Sequence, residues 1–187
     1  KDIPAPDVYT DGQTMAWIMD TYSMNVGRST PAVVTGKPIT LGGSVGREEA
    51  TGRGAAIITG QAMQYLGQSM EGASCVIQGF GNVGKYAAYT LKDMGATVIG
   101  ISDSSGGVSN SHGLDIDELV NFRAEGGRLA DFQKYDRITN KELLELPCDV
   151  LLPSALENQI TKGNAPRIKA KLITEGANGP MTPDADA

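Results

Sequence analysis

Three glycines, Gly79, Gly81 and Gly84, have the spacing of a loop that holds a diphosphate group. The first glycine permits a tight turn, the second lets backbone N–H groups approach the phosphates, and the third lets a helix pack on a strand. A helix that begins at such a loop adds the partial positive charge of its N-terminus. The spacing alone is a weak signal, so the elements around the loop decide its interpretation.

The segments on either side of these glycines have the order that a dinucleotide site needs. Residues 75–78 form a short apolar strand, residues 83–94 carry apolar side chains at helical spacing, and residues 96–102 form a second strand that ends at Asp103. This is a βαβ unit of about 30 residues. Asp103 lies 19 residues beyond Gly84, where a carboxylate can accept both ribose hydroxyls of an adenosine. The alternative is a tight turn followed by an acid that only caps the next segment.

The residues after this strand bear on the choice of dinucleotide. An acid at position 103 repels a 2′-phosphate, and Ser104 to Gly107 include no arginine that could bind one. NAD is therefore the expected cofactor. NADP stays possible because Lys85 lies just inside the helix, although an exposed surface lysine is the alternative interpretation of that residue.

Two more strands are predicted, at residues 149–152 and 171–174, and each runs into a loop of turn residues. Ser154 and Ala155 lie in the first loop, and Asn178 lies in the second. Parallel strands place such loops at one edge of a sheet, where ligands bind if the strand order reverses. We expect an α/β fold, a doubly wound and mostly parallel sheet of the Rossmann type.

Helices are predicted on both sides of this region. Thr10 and Gln13 resemble a capping box that begins a helix over residues 11–26, which a short extended piece at residues 32–34 follows. A second helix is expected over residues 47–66, and three glycines inside it suggest that another part of the chain comes close. Those glycines are Gly52, Gly54 and Gly60. Further helices are expected from Ile116 and after a capping box of Thr139 and Glu142.

Composition excludes several classes of function. The net charge of −6 and an aromatic content of 5% argue against a nucleic-acid partner. No apolar run approaches the roughly 20 residues that span a bilayer, so we expect no membrane partner and a cytoplasmic setting. Cys75 and Cys148 adjoin apolar runs and are expected to be buried thiols. No residues have metal-ligand spacing, so no metal site is predicted.

Several motifs together resemble those of the glutamate dehydrogenase family. They occur in the family's order at residues 2–10, 36–38, 41–44, 46–54, 78–84 and 175–180. The resemblance covers essentially the whole chain, and the run at residues 47–54 is specific to glutamate dehydrogenases over their leucine, valine and phenylalanine relatives. It implies an inter-domain segment and helix over residues 1–30 and a dinucleotide-binding domain over residues 31–187. The substrate domain and the C-terminal helices of the family are expected to be absent.

The resemblance also implies roles for individual residues. In the family, the carboxylate that matches Asp7 shuttles a proton to and from the substrate amine. The resemblance also implies that Thr51 lies at the nicotinamide carboxamide and that Asn178 lies near the nicotinamide ribose. For Asn82, beside the dinucleotide, and for Asn178, ordinary hydrogen bonding within a loop is the alternative. The expected cofactor contacts are Thr51, Gly79, Phe80, Gly81, Asn82, Val83, Gly84, Asp103, Ser104, Ser154, Ala155 and Asn178.

The implied parent activity is the reversible oxidative deamination of L-glutamate to 2-oxoglutarate and ammonia, with hydride transfer to NAD(P). The implied parent is a homohexamer, whereas the oligomeric state of the chain itself is left open. Two alternatives are kept. The isolated chain could be an NAD-binding module without catalytic activity, or its parent could act on a branched or aromatic amino acid, against which the run at residues 47–54 argues.

Overall fold

A computed structural model describes residues 2–186, and its chain divides into two units between Ala50 and Thr51. Lys1 and Ala187, the outer ends of the two segments expected from the sequence, lie outside the described residues. The first unit contains one long helix and the second contains the sheet. The glycine loop at residues 79–84 therefore belongs to the second unit.

Helix α1 (Gly12–Val26) organises the first unit and confirms the predicted helix. Its N-cap is Asp11, whose side chain accepts a hydrogen bond from the backbone N–H of Thr14. The predicted capping box of Thr10 and Gln13 is wrong, because the Thr10 hydroxyl lies one residue too early and accepts from an N–H upstream of the helix instead. A carboxylate is at least as good an N-cap as a threonine hydroxyl.

The segment after α1 forms short helical turns, although the sequence predicted a short extended piece there. Gly27, at a φ of 71°, ends α1, and Pro31–Val33 forms one turn of 3₁₀-helix. A second such turn spans Ile39–Leu41. The extended prediction is wrong because proline presets a helical φ at the first position of a helical turn, where its missing N–H costs nothing.

One six-stranded sheet forms the centre of the second unit. Its strands are β1 (Ser74–Gln78), β2 (Thr97–Asp103), β3 (Gly106–Ser109), β4 (Asp136–Ile138), β5 (Val150–Pro153) and β6 (Leu172–Ile173). Their order is β4-β3-β2-β1-β5-β6, with β2, β1, β5 and β6 parallel and β3 and β4 antiparallel to their neighbours. The strand order reverses beside β1, which is where an open α/β sheet leaves a crevice for a ligand.

Helices cover both faces of the sheet, which confirms the doubly wound fold. They are α2 (Ala50–Tyr65), α3 (Asn82–Asp93), α4 (Ile116–Ala124), α5 (Asn140–Leu144) and α6 (Pro183–Asp186). On one face, Leu91 of α3 is fully buried in a cluster with Ile77. On the other, Leu143 of α5 is fully buried in a cluster with Val76. Because Val76 and Ile77 are consecutive residues of β1, their side chains point to opposite faces.

The antiparallel strands β3 and β4 were not predicted from the sequence. Two glycines open β3, and glycine is depleted in strands because it has no side chain to pack and loses more entropy. Here the absence of a side chain at Gly107 has a structural reason, since a Cβ there would lie 2.5 Å from the carbonyl oxygen of Ile101 on β2. Glycine at position 107 is therefore explained by the close contact between β3 and β2, and not by strand propensity.

The glycines inside α2 mark close contacts, as the sequence suggested, at two of the three positions. A Cβ at Gly52 would overlap the carbonyl oxygen of Val83 at the start of α3. A Cβ at Gly60 would overlap the terminal methyl of Met94. Gly54 faces open space, and nothing in the structure explains it.

The two cysteines are buried free thiols, as predicted. Burial raises the pKa of both the Cys75 and Cys148 thiols to about 12. Thiols with such a pKa form almost no thiolate near neutral pH, so they act as small hydrophobic side chains. Within residues 2–186, no helix is long and apolar enough to span a bilayer, and no cluster of side chains could hold a metal ion.

Asp149 joins the starts of three strands and is expected to make the stability of the chain sensitive to acid. Its carboxylate bonds to Lys171 Nζ at 2.7 Å and accepts from the backbone N–H and hydroxyl of Ser74 at 2.8 and 2.7 Å. The Lys171 ammonium, followed by the Ser74 donors, lowers the pKa of Asp149 from 3.8 to about 2. A carboxyl group with a lowered pKa contributes stability above its unfolded pKa and loses it as the pH falls towards the folded value.

We therefore expect Asp149→Asn to lower the free energy of unfolding by about 1–2 kcal/mol at pH 7, allowing for the exposed lysine partner. The difference from wild type should shrink as the pH falls from about 4 to 2. Urea unfolding at a series of pH values measures it, with Asp136→Asn on the exposed strand β4 as the control. Equal unfolding free energies for wild type and Asp149→Asn at pH 7 would contradict the assignment.

Candidate dinucleotide site

Three loops meet at the carboxyl edge of the sheet, at the point where the strand order reverses. Gln78, the last residue of β1, pairs with Ser102 on β2 and with Pro153 on β5, so these three strands end level with one another. The backbone N–H of Ser154 donates to the carbonyl of Gln78 at 2.7 Å. The loops after β1 and β5 are therefore held side by side.

The glycine loop has the geometry that its sequence predicted. Gly79 has a φ of 100°, and a Cβ there would lie 2.8 Å from the carbonyl oxygen of Ser154. A Cβ at Gly84 would overlap the carbonyl oxygen of Gly79, so α3 packs directly on the turn. At Gly81, in contrast, a Cβ would have nothing within 4 Å of it. The turn is thus tightly packed on its inner side and open at its middle glycine.

The open side of the loop is lined by the free end of α3. Gly81 is the N-cap of this 12-residue helix, and no side chain caps it. The first N–H groups of a helix have no partner inside it, so those of Asn82, Val83 and Gly84 point beyond the helix end. Together with the helix dipole, they form a site for an anionic group.

The predicted contacts within this loop differ in what their side chains can reach. The ring of Phe80 is 8% exposed and packs in the hydrophobic core, so only its backbone can face a ligand. Val83 is half-buried and lies beneath the loop after β6, where its Cγ1 would be 3.2 Å from a Cβ at Gly176. Asn82 is exposed on the first turn of α3.

Asp103 ends β2, and both of its carboxylate oxygens have donors. Oδ1 accepts from the backbone N–H of Ser105 at 2.7 Å and from its hydroxyl at 2.5 Å. Oδ2 has longer contacts, 3.3 Å to the backbone N–H of Leu129 and 3.3 Å to Nη1 of Arg123. Ser104, predicted as a further contact, is exposed beside it. Sequence reasoning missed Arg123 and Leu129, because they come from a later segment, the connection between β3 and β4 that contains α4.

A buried polar residue also holds the backbone at the end of β2. Ser102 is fully buried, and its hydroxyl donates to Asn140 Oδ1 at 2.7 Å. The amide nitrogen of Asn140 then donates to the carbonyl of Asp103 at 2.9 Å. The only sequence signal for this contact was a polar residue in an otherwise apolar strand.

The loop after β5 is fixed by backbone and side-chain contacts. Its residues Ser154 and Ala155 lie against the glycine turn, as the contact at Gly79 shows. Gln78 is 2% exposed, and its Nε2 donates to Gln159 Oε1 at 2.9 Å. Gln78 Oε1 is the one buried side-chain oxygen or nitrogen without a hydrogen-bond partner in the described part of the chain. No pattern in the sequence singled out this amide pair.

The loop after β6 closes the other side of the site. The backbone N–H groups of Gly176 and Ala177 both donate to the carbonyl of Pro153, at 2.9 and 3.0 Å. Gly176 is required there, because a Cβ would overlap Ser154 Oγ. Asn178 follows in this loop and is exposed. The predicted residues of the β5 and β6 loops are therefore brought together with the glycine loop.

Thr51 also lies beside the glycine loop. It is exposed in the first turn of α2, next to Gly52, whose missing side chain lets α2 approach Val83. Further along α2, the buried hydroxyl of Thr59 lies 3.0 Å from that of Thr174, just after β6. These two contacts hold α2 against α3 and against the sheet edge.

Asp7 belongs to the first unit, where it begins a tight turn. Its Oδ1 accepts from the backbone N–H of Val8 at 2.8 Å. Its own N–H donates to Thr10 Oγ1 at 2.7 Å, and its carbonyl accepts from the Thr10 N–H at 2.9 Å. Tyr9, between them, has a φ of 60°, which is uncommon for an aromatic residue. Asp7 is thus an exposed carboxylate on a well-defined turn.

Comparison with known proteins gives a consistent result. The family model described as Glutamate/Leucine/Phenylalanine/Valine dehydrogenase matches residues 42–187. A glutamate dehydrogenase of Thermotoga maritima is 55% identical over 187 residues, which is all of this chain and 45% of that protein. An NAD-specific glutamate dehydrogenase of Staphylococcus aureus is 50% identical over 185 residues, or 99% of this chain and 44% of that protein. The chain therefore spans somewhat less than half the length of these relatives.

Solved structures agree with the sequence comparison. The hetero-hexameric glutamate dehydrogenase of Thermus thermophilus, in its Leu-bound form, matches with a TM-score of 0.91 and 38% identity, covering 99% of this chain and 44% of that one. A glutamate dehydrogenase of Plasmodium falciparum matches with a TM-score of 0.88 and 28% identity, covering 99% and 42%.

Proposed function

Because the chain belongs to the Glutamate/Leucine/Phenylalanine/Valine dehydrogenase family, we propose that it is the cofactor-binding part of an NAD-dependent glutamate dehydrogenase. The parent reaction is the reversible oxidative deamination of L-glutamate to 2-oxoglutarate and ammonia. The observation that carries the proposal is the uncapped N-terminus of α3 beside the open position at Gly81. The names of the NAD-specific relatives support NAD as the dinucleotide.

The residues present fit NAD at this edge of the sheet. A Cβ at Gly81 would project into open space, which is the space that a pyrophosphate needs to reach the N–H groups of residues 82–84. On Asp103, Oδ1 already has two donors from Ser105, so Oδ2, with its longer contacts, is the oxygen that accepts a ribose hydroxyl. The sequence predicted that Asp103 accepts both ribose hydroxyls of the adenosine, whereas this proposal assigns it only one.

The remaining residues orient the nicotinamide half and manage a proton. When bound, the nicotinamide ring accepts the hydride. Thr51 binds the carboxamide, Asn178 lies near the nicotinamide ribose, and the loop at Ser154 and Ala155 lines the site between them. Asp7, on its turn in the first unit, exchanges a proton with the substrate amine, for which it needs to come within about 3 Å of the nitrogen.

A second candidate follows from the length of the match. Since the chain covers less than half of its relatives, the 187 residues alone can bind NAD without turning over glutamate. Assembly of the parent into a homohexamer is part of the same proposal, and the hetero-hexameric Thermus relative supports an oligomer.

The test compares amino acids as substrates of the full-length gene product. We expect NADH formation with L-glutamate at a kcat/KM about a hundredfold or more above that with L-leucine, L-valine or L-phenylalanine. The chain of 187 residues, titrated with NAD in parallel, should bind the cofactor and form no NADH. Preference for an apolar amino acid would overturn the assigned substrate, and turnover by the chain alone would overturn the binding-only candidate.

A further inference from the structure

Arg123 lies where a dinucleotide site distinguishes its two common cofactors. It comes from the last turn of α4, and its Nη1 lies 3.3 Å from Oδ2 of Asp103. The same nitrogen donates to the carbonyl of Gly127 at 2.9 Å, which fixes the direction of the guanidinium. The Asp103 side chain is 9% exposed, whereas that of Arg123 is 40% exposed. The positive charge therefore lies at the surface, directly beside the more deeply buried acid.

The two charges act in opposite directions on a 2′-phosphate. NAD has a hydroxyl at the 2′ position of its adenosine ribose, and NADP has a dianionic phosphate there. A carboxylate accepts from the hydroxyl and repels the phosphate, whereas a guanidinium attracts the phosphate and can donate to it. Because Oδ2, the Asp103 oxygen proposed to accept from the ribose, is also the oxygen that Arg123 contacts, a group on that hydroxyl would lie next to Arg123.

Other arginines near this strand end are directed elsewhere. Arg128 donates from Nε to Asp131 at 2.7 Å, and Arg137 lies 3.8 Å from the same carboxylate. Arg123 is the arginine whose described ion pair is with Asp103 itself. The sequence did not predict an arginine beside Asp103, because residues 104–107, which follow the acid directly, contain none.

We propose that Arg123 is a specificity-determining residue, which lowers the discrimination against NADP that Asp103 imposes. The proposal rests on the proposed NAD site. The acid alone would make the site reject a 2′-phosphate strongly. The adjacent guanidinium offsets part of that repulsion, so that NADP binds measurably, although less tightly than NAD.

The experiment measures Kd for NAD and for NADP by calorimetric titration of the full-length protein. Arg123→Leu should raise the ratio Kd(NADP)/Kd(NAD) about fivefold, the effect of one partly exposed ion pair. The direction is fixed, because loss of the cation weakens NADP binding and leaves Asp103 free to accept from the NAD ribose. Arg123→Lys retains the charge and should keep the ratio within about twofold of wild type.

Arg167→Leu is the matched control, since Arg167 is a partly exposed arginine paired with Glu145 and not with Asp103. It should leave the ratio unchanged. An unchanged or lower ratio in Arg123→Leu, or no NADP binding by the wild type, overturns the role of Arg123 while leaving the NAD site intact. Absence of NAD binding by the wild type would instead overturn the proposed function. Thermal unfolding of each variant shows whether it is folded, and Arg123→Gln, which also removes the charge and should also raise the ratio, replaces Arg123→Leu if that variant does not fold.

Discussion

Replacing Asp7 with asparagine in the full-length protein is expected to lower kcat for glutamate by about a hundred- to ten-thousand-fold, the usual contribution of a positioned acid or base. Asparagine keeps the Oδ1 atom that accepts from the N–H of Val8, so the turn should be retained. It cannot take up or release a proton. The affinity for NAD should change little, because the proposed pyrophosphate contacts are the backbone N–H groups of residues 82–84 and do not include Asp7.

Asp11→Asn provides the matched control in the same unit. Asp11 is also an exposed carboxylate close to Asp7 in sequence, but it caps α1, and asparagine is an equally good N-cap. We expect this variant to retain kcat within about twofold of wild type. Steady-state kinetics and NAD titration on both variants make the comparison. A kcat for Asp7→Asn within a few fold of wild type would remove Asp7 from the reaction.

Two alanine substitutions in the glycine loop are expected to have opposite consequences. Gly81 has φ −85° and ψ −162°, values that any residue can adopt, and its Cβ would meet nothing within 4 Å. Gly81→Ala should therefore unfold at the wild-type temperature. Its methyl group would nevertheless occupy the space that the pyrophosphate needs, so Kd for NAD should rise by about tenfold or more.

Gly84→Ala should instead destabilise the fold. Its Cβ would overlap the carbonyl oxygen of Gly79, and such overpacking costs about 1–3 kcal/mol. The control is Gly54→Ala on α2, where the position is open and alanine stabilises a helix by roughly 1 kcal/mol without affecting NAD. Thermal unfolding and NAD titration of the three variants separate these effects. NAD binding by Gly81→Ala with wild-type affinity would place the pyrophosphate elsewhere.

The sequence predicted the elements that bury a continuous apolar pattern. The strand before the glycine loop, α3 and β2 are all found. Their apolar side chains fill the two cores and therefore recur along the sequence at strand or helix spacing. The capping box of Thr139 and Glu142 is confirmed because its hydrogen bonds are local. The pairing of β3 with β4 was missed, since it depends on contacts between residues far apart in sequence rather than on local propensity.

The parts of the site that depend on close backbone packing were predictable from the sequence. The glycines, Ser154 and Gly176 reveal close packing through small side chains at fixed places. The surroundings of Asp103 were not predictable, because Arg123 and Leu129 lie 20 and 26 residues further along the chain, in α4 and after it. The amide pair of Gln78 and Gln159 likewise joins the end of β1 to a loop 81 residues further along the chain. Spacing along the chain contains no information on such pairs.

The contact between Gly176 and Ser154 makes the two loops interdependent under mutation. A methyl group at 176 would overlap Ser154 Oγ and lie 3.0 Å from Leu152 Cδ2. Removing Oγ by a Ser154→Gly change would make alanine at 176 less costly, so the free energies of the two substitutions are not additive. A mutant library that varies only one of these loops will therefore discard residues that the two loops could accept together.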